Sequence, residues 1–247
     1  MKLHIVGSSG TFPAPGRPCA GYLIEHGNTR VLCDAGPGTF MSLPVDPDSI
    51  DAVVISHQHA DHCSDLLTIF HAWTYRPEPR VDVPVYGPAS VLERVMAFVD
   101  KGQEDVFAGT LRYQAVAGGD EVTIGDFTVR FADMYHSVPC VGSRWEAGGR
   151  SLFYTGDTGP GGDWREAARG VDLMLSEASY QEWNKNPEYP MHLSGAEAGE
   201  IAREVGARKL VLTHIPPYLD SALSVHEAEV AFDRPVALAV PGVGFEV

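Results

Sequence analysis

The chain has few basic side chains, few cysteines and no long hydrophobic run, and each shortage disfavours a class of protein. Its 247 residues include 18 Lys and Arg against 33 Asp and Glu, which gives a net charge of −15. Proteins that bind long nucleic acid gain affinity by neutralising many phosphates with a basic surface. The acidic balance therefore makes long nucleic acid an unfavoured partner.

The cysteines do not form a pattern of disulfide or zinc-finger type. Four are present, Cys19, Cys33, Cys63 and Cys140, and no two have CxxC spacing. Such spacing is typical of separate, reduced and partly buried thiols. Cys63 follows His62 and could bind a metal, but its neighbours already offer enough ligands.

Hydrophobic runs are too short for a transmembrane helix or for the apolar core of a signal peptide. The first strand pattern, 2–6, is interrupted at once by Gly7 and Ser8. We therefore expect no membrane partner and a cytoplasmic location.

Short segments rich in Val, Ile and Leu predict β-strands along the whole chain. They fall at 2–6, 20–25, 29–33, 51–56, 121–124, 127–134, 150–154, 171–175, 209–213 and 235–240. Several of these segments are too apolar to leave one face of a sheet in water.

Helical patterns lie between the strands, at 88–99, 163–169, 194–205 and 224–232. Ser194 and Ser224 are candidate N-caps, because each is followed three residues later by a glutamate, as in a capping box. Two sheets with helices outside them fit this order of elements. We expect an α/β fold in which residues 1–247 form a single domain.

The most informative segment is His57-Gln58-His59-Ala60-Asp61-His62, which directly follows the apolar run 51–56. Four metal-binding side chains within six residues at the end of a strand can reach two ions from one loop. A histidine-rich surface loop is the ordinary alternative, but packing does not require this spacing. Imidazoles with a carboxylate favour zinc, then manganese or iron.

Further histidines and aspartates occur in turn-rich contexts downstream, where functional loops are displayed. These are His136 in His-Ser-Val-Pro-Cys, Asp157 in Tyr-Thr-Gly-Asp-Thr-Gly, and His214 in Leu-Thr-His-Ile. With Asp34 in Asp-Ala-Gly-Pro-Gly and the histidine-rich segment, they resemble the ordered motifs of the metallo-β-lactamase superfamily. The resemblance covers essentially the whole chain.

This resemblance implies a four-layer αββα sandwich with a dinuclear metal site at one edge. By family correspondence, His57, His59 and His136 would hold one ion, and Asp61, His62 and His214 the other. Asp157 would bridge the two ions, and Asp34 would be structural. Paired ions activate water and stabilise charge on phosphorus, so the resemblance implies a catalytic metal site and not a structural one.

A further motif indicates which branch of the superfamily the chain resembles. It is the segment Ser176-Glu177-Ala178-Ser179-Tyr180, followed by His192. It is similar to ribonuclease Z and related phosphodiesterases, and closest to the bacterial class II cyclic-nucleotide phosphodiesterases. His192 is the candidate proton donor and Glu177 the residue that orients it. Asp61 is counted both among the ligands and among the catalytic residues.

One departure separates the chain from ribonuclease Z itself. In that enzyme a long arm that grips tRNA is inserted between the third and fourth motifs, whereas only 137–156 lie between His136 and Asp157 here. We therefore predict a phosphodiesterase for a small nucleotide, best a 3′,5′-cyclic nucleotide such as cyclic AMP. The alternatives are tRNA 3′ processing and a metal-bound scaffold protein without turnover. The resemblance also suggests a homodimer.

Two further groups are candidate substrate contacts. A purine could stack on one of several aromatic residues, with Arg76 or Arg144 reaching a phosphate. Those aromatic residues are Trp73, Tyr75, Trp145, Tyr180 and Trp183. Core packing is the simpler explanation for any single one of them. The loop 7–11 lacks the ending of a P-loop and is expected at the rim of the metal cleft.

Overall fold

The computed structural model describes residues 1–247 and contains two β-sheets of seven strands each. The first sheet has the order β14-β1-β2-β3-β4-β5-β6. Its strands are β1 Lys2–Gly7, β2 Gly21–His26, β3 Thr29–Cys33, β4 Ala52–Val54, β5 Val83–Gly87, β6 Leu111–Ala115 and β14 Gly244–Glu246. From β3 to β6 the strands are parallel, so their carboxyl ends share one edge.

The second sheet has the order β13-β12-β11-β10-β9-β8-β7. Its strands are β7 Glu121–Ile124, β8 Phe127–Asp133, β9 Val141–Ala147, β10 Arg150–Tyr154, β11 Leu173–Glu177, β12 Lys209–Thr213 and β13 Val236–Leu238. Strands β10 to β13 are parallel. Because β9 runs antiparallel to both β8 and β10, β8 ends at the same edge as β10.

Six helices cover the outer faces of the sheets. They are α1 Ala60–Cys63, α2 Asp65–Thr74, α3 Ala89–Met96, α4 Glu104–Thr110, α5 Gly195–Glu204 and α6 Ser221–Phe232. One apolar cluster packs the four helices α1, α2, α3 and α4 against the first sheet, and another packs α5 and α6 against the second sheet. None of these helices has the length and hydropathy needed to cross a bilayer.

A third cluster fills the space between the sheets and includes Tyr22, Val129, Trp145 and Leu175. Central strands such as β4 and β11 are thus buried on both faces, which explains why their sequences are mostly apolar. The layers follow the order helix, sheet, sheet, helix. The predicted αββα sandwich is confirmed.

Several details differ from the sequence prediction. Residues 163–169 form only a 3₁₀ turn, Trp164–Glu166, because the following amides bond three residues back, as Ala167 N does to the Trp164 carbonyl at 3.0 Å. The strands β5, β6, β9 and β14 were not predicted. In β5 the internal Pro84 obscured the pattern, since proline is rare inside strands.

The two predicted helix caps had different outcomes. Ser194 caps α5, and Glu197 completes the capping box. Ser224 is wrong as a cap, because α6 begins earlier, where Asp220 accepts a hydrogen bond from the Ala222 amide. Ser224 lies inside the helix and accepts a hydrogen bond from the Gln181 side-chain amide at 3.0 Å.

Candidate metal centre

The site lies where the carboxyl ends of strands from both sheets meet. The loop after β4 carries the segment 57–62, and the chain that follows β8 carries His136. Asp157, Glu177 and His214 stand at the ends of β10, β11 and β12. Because all these strands end at the same edge, residues far apart in sequence face one cleft.

One cluster contains ligand atoms that lie within 4.8 Å of one another, from His57, His59, His136 and Asp157. His59 Nδ1 is 3.0 Å from His57 Nε2 and 3.2 Å from His136 Nε2. His57 is fully buried, and burial together with the charge of nearby His62 holds its pKa well below the usual range. The ring is therefore neutral and has a lone pair available for a cation.

A second cluster, Asp61, His62 and His214, lies beside the first. Asp61 Oδ2 is 3.1 Å from His214 Nε2. Asp157 stands between the clusters, with Oδ2 at 3.7 Å from His57 Nε2 and Oδ1 at 3.3 Å from His62 Nε2. The structure thus brings together all seven residues predicted as ligands, with Asp157 in the shared position.

Hydrogen bonds behind the rings indicate which nitrogens face the cleft. His62 Nδ1 donates to Asp34 Oδ2 at 2.7 Å, and His136 Nδ1 donates to the Met191 carbonyl at 3.0 Å. Metal-binding histidines usually engage their second nitrogen in this way, which fixes the tautomer and the ring orientation. Nε2 of each ring is left facing the cleft.

The ring of His214 is held from behind in the same way, and a buried carboxylate oxygen near it has no hydrogen-bond partner. His214 Nδ1 donates to Ser179 Oγ at 2.9 Å, because that hydroxyl gives its own proton to Glu177. The Nε2 atoms of His62 and His214 lie 2.9 Å apart and both face the cleft. Asp157 Oδ1 is also buried without a hydrogen-bond partner. The donor set fits divalent metal ions.

The two carboxylates keep their charge in spite of burial. Burial alone would raise the pKa of Asp157, but His214 and His62 outweigh it and hold the pKa well below the usual range. Burial likewise opposes ionisation of Asp61, and His62 and His214 again lower its pKa. Both groups are therefore anionic, as ligands of a divalent cation must be.

Asp34 supports the site from behind, as the resemblance implied. Its carboxylate accepts hydrogen bonds from the Ser56 amide at 2.7 Å and from the Tyr154 hydroxyl at 2.7 Å, besides His62. Both Asp34 and His214 have positive φ, 59° and 56°. Such backbone strain is held only where the surroundings fix it, and it clusters at functional sites.

His192 lies next to the clusters and is held by Glu177. Its Nδ1 donates to Glu177 Oε1 at 2.9 Å and lies 3.9 Å from Asp157 Oδ2. Burial would lower the pKa of His192, but the Glu177 carboxylate outweighs it and raises the pKa to about 9. The imidazole therefore carries a proton at neutral pH, and Nε2 is the nitrogen available to a substrate.

Sequence reasoning missed two contributions to the site. Ser179 was quoted only as part of a motif, yet its hydroxyl joins Glu177 to His214. The loop 7–11 does reach the metal cleft, but its Thr11 amide donates to Asp61 Oδ2 at 2.8 Å and so positions a candidate ligand. A serine two residues from the glutamate was the only available signal.

Four of the candidate substrate contacts are wrong, and one of them, Trp73, is a buried core residue. Arg76 forms a bidentate ion pair with Asp48 at the surface. Arg144 bonds Glu146 and the carbonyls of residues 167 and 169, and Trp145 is fully buried between the sheets. Cys63, as expected, is a core residue, with its thiol directed at the Gln58 carbonyl.

Two sheets that carry paired histidine and aspartate clusters at one edge define a metal-dependent hydrolase of the metallo-β-lactamase fold. The Beta-lactamase superfamily domain matches residues 29–215. The chain belongs to that superfamily.

Similar proteins agree with this assignment. The chain is 37% identical over 256 residues to the Mycobacterium tuberculosis protein Rv1339, with 100% of this chain and 92% of that protein covered. It is 30% identical to the ribonuclease Z of Methanopyrus kandleri, with 94% and 93% covered. The crystal structure of the metallo-beta-lactamase fold protein YhfI from Bacillus subtilis superposes with a TM-score of 0.87, 29% identity and 99% of each chain covered. YhfI bears the name probable metallo-hydrolase.

Proposed function

We propose that this metallo-hydrolase is a dinuclear phosphodiesterase for a small nucleotide, with 3′,5′-cyclic AMP as the preferred substrate. The observation that carries the proposal is the pair His192 and Glu177: Glu177 holds His192 Nδ1, which lies 3.9 Å from Asp157 Oδ2, and this leaves Nε2 of His192 as the proton donor. Hydrolysis of an alkyl phosphodiester needs such a donor, because a ribose alkoxide is a poor leaving group.

The metal content belongs to the proposal. His57, His59 and His136 would hold one divalent ion, Asp61, His62 and His214 the other, and Asp157 would bridge them. The mixture of imidazole and carboxylate donors supports zinc, with manganese or iron as alternatives. When bound, such a pair supplies an activated water and stabilises negative charge on phosphorus.

His192 and the residues that hold it protonate the leaving group. Water adds to phosphorus and loses a proton to solvent as the bond from phosphorus to the 3′ oxygen breaks. His192 gives its proton to that oxygen and takes one back from solvent before the next turnover. The products are the free 3′ hydroxyl and the 5′-monophosphate. Glu177 keeps His192 in position through Nδ1, while the Thr158 amide, 2.7 Å from Glu177 Oε1, holds the carboxylate in turn.

Substrate size is argued from the segment between His136 and Asp157. It forms the hairpin of β9 and β10, turned at Gly148 and Gly149, and no arm extends from it. The net charge of −15 also leaves the chain without an attractive field for long RNA. Both features favour a single phosphodiester over a folded RNA.

Cleavage of tRNA 3′ ends is the second candidate, because a relative that is 30% identical is named ribonuclease Z. The two candidates share the metal centre and differ in how the rest of the substrate is held. A direct comparison of substrates therefore decides between them.

The test uses purified, metal-analysed enzyme with 3′,5′-cyclic AMP, 3′,5′-cyclic GMP and a pre-tRNA with a 3′ trailer. Under matched metal and ionic strength we expect cyclic AMP to give 5′-AMP, and pre-tRNA to be cut much more slowly. Asp157→Ala is the matched inactive control. Efficient trailer removal without turnover of cyclic nucleotides would replace the proposal with the second candidate.

A further inference from the structure

A cavity of about 360 Å³ adjoins the metal centre at His59. The loop that carries the first ligands forms one wall through Gln58 and His59, and the end of α3 forms the other through Arg94 and Phe98. Leu67 and Val95 lie between these walls. Because His59 belongs to both the cavity and the first cluster, a ligand can occupy both at once. The volume is in the range of small-molecule sites.

Three groups of this cavity have no partner within the chain. The Phe98 side chain is 70% exposed. Arg94 forms no ion pair, although the chain carries 33 acidic residues and most of its arginines are paired. Gln58 Nε2 and Oε1 make no hydrogen bond, even though the residue stands between two candidate ligands. Free recognition groups that converge beside a reaction centre are typical of a substrate subsite.

The types of these groups fit a purine base. A phenyl ring offers a stacking face that any base can use, and a guanidinium stacks on bases or reaches their acceptor atoms. A glutamine amide can both donate to and accept from the edge of adenine, which presents a donor and an acceptor side by side. The apolar floor of Leu67 and Val95 accommodates the flat base without requiring further polar partners.

The pocket that His192 lines offers fewer free groups for a base. Lys185 is already paired with Glu197 at 2.7 Å, and the Trp183 indole donates to Gln181 at 2.8 Å. Tyr180 packs edge-on against His192, with ring centroids 5.8 Å apart. The side chains of Lys185 and Trp183 are used within the chain, whereas those of Gln58 and Arg94 are not.

We propose that the cavity formed by Gln58, Leu67, Arg94, Val95 and Phe98 binds the nucleobase of the substrate and sets base preference. The proposal rests on the proposed function for the identity of the substrate. Phe98 supplies the stacking face, Arg94 contacts the base or the adjoining phosphate, and Gln58 reads the base edge.

Equilibrium binding tests this without relying on turnover. Isothermal titration of metal-loaded protein compares 5′-AMP with ribose 5-phosphate, which has the same phosphate and sugar but no base. We expect wild-type protein to bind 5′-AMP more tightly. Phe98→Ala should lower the affinity for 5′-AMP by about fivefold or more, which is the cost of one lost base stack. Its affinity for ribose 5-phosphate should change less than about twofold, and Phe98→Tyr should retain 5′-AMP affinity.

Arg94→Gln is also expected to lower the affinity for 5′-AMP more than the affinity for ribose 5-phosphate. Arg203→Gln is its matched control, since Arg203 is also an exposed arginine without an ion pair in the last turn of a helix. Melting temperature and metal content, measured on each variant, ensure that only folded, loaded protein is compared. Turnover of cyclic AMP by Phe98→Ala should show a raised KM with a nearly unchanged kcat.

Two outcomes would overturn the base site. One is equal affinity of wild type for 5′-AMP and ribose 5-phosphate. The other is a loss of 5′-AMP affinity in Trp183→Ala or Tyr180→Ala while Phe98→Ala binds normally. Selective loss in Phe98→Ala from a wild type that leaves cyclic AMP intact would support the base site and contradict only the proposed function.

Discussion

At the scale of single residues, Glu177 connects His192 to the candidate ligand His214 through hydrogen bonds. One carboxylate oxygen accepts from His192, and the other accepts from the Ser179 hydroxyl, which in turn supports His214. Glu177 is fully buried, and the Ser179 amide adds another bond at 3.1 Å. A buried carboxylate with all its partners satisfied holds its neighbours in fixed orientations. The proposed proton donor and a candidate ligand are thus aligned by one side chain.

His192→Ala is expected to lower kcat on a cyclic nucleotide by about 10²–10⁴-fold, the usual contribution of general acid catalysis. A p-nitrophenyl ester should be affected less, because p-nitrophenolate leaves without a proton. Steady-state kinetics on the two substrates measures the difference. Metal content should remain at the wild-type value, and equal losses on both substrates, or a lost ion, would argue against the donor role.

At the scale of elements, the centre depends on close packing of the loop after β3 against α1. The Ala35 amide donates to the His62 carbonyl at 2.7 Å, and the Asp65 amide donates to the Ala35 carbonyl at 2.8 Å. A Cβ at Gly36 would lie 1.9 Å from the Asp61 carbonyl oxygen. Only glycine lets the two segments approach this closely, so the loop fixes the helix that presents Asp61 and His62.

Gly36→Ala should therefore destabilise the protein by about 1–3 kcal/mol, as overpacking in a tight core does. The same shift should displace Asp61 and reduce metal content. Urea unfolding and elemental analysis measure the two effects.

Gly109→Ala in α4 is the matched control. Nothing lies within 4 Å of a Cβ at that position. The control should be neutral or more stable by up to about 1 kcal/mol, because alanine restricts the unfolded chain. A Gly36→Ala protein with wild-type stability and metal content would disprove the role assigned to this contact.

At the scale of the whole molecule, the two sheets supply different parts of the centre. The first sheet contributes the segment 57–62 and Asp34, and the second contributes His136, Asp157 and His214. The sheets meet at this edge through the Val141 amide, which donates to the Ser56 carbonyl at 3.0 Å. Bound ions would therefore join the two sheets, and metal removal is expected to loosen their contact. The homodimer suggested by the resemblance stays a prediction.

Protein prepared without chelator should contain about two equivalents of transition metal per chain, because the seven ligand-type residues form two adjoining clusters. Elemental analysis by mass spectrometry provides the count. His192→Ala should match wild type, whereas Asp157→Ala should contain less. A reproducible value near one in active enzyme, unchanged by added zinc or manganese, would contradict the dinuclear assignment.

The sequence by itself indicated the sandwich fold and the residues that meet at the centre, through its resemblance to the metallo-β-lactamase superfamily. Metal motifs such as 57–62 are local, and their positions after apolar strands place them at a sheet edge whatever the rest of the chain does. Capping of α5 by Ser194 was likewise predictable, because a capping box involves neighbours only three residues apart.

Only the tertiary structure decided which side chains are free. Arg76 finds Asp48, a residue 28 positions away, while Arg94 finds no acidic partner, and nothing in the local sequence distinguishes the two. Ser179 supports His214 across 35 positions, and Phe98 stands exposed beside Gln58 because α3 ends there. Such pairings follow from how distant elements pack. The cavity beside Phe98 and the hydrogen bonds of Glu177 could therefore be found only in the folded structure.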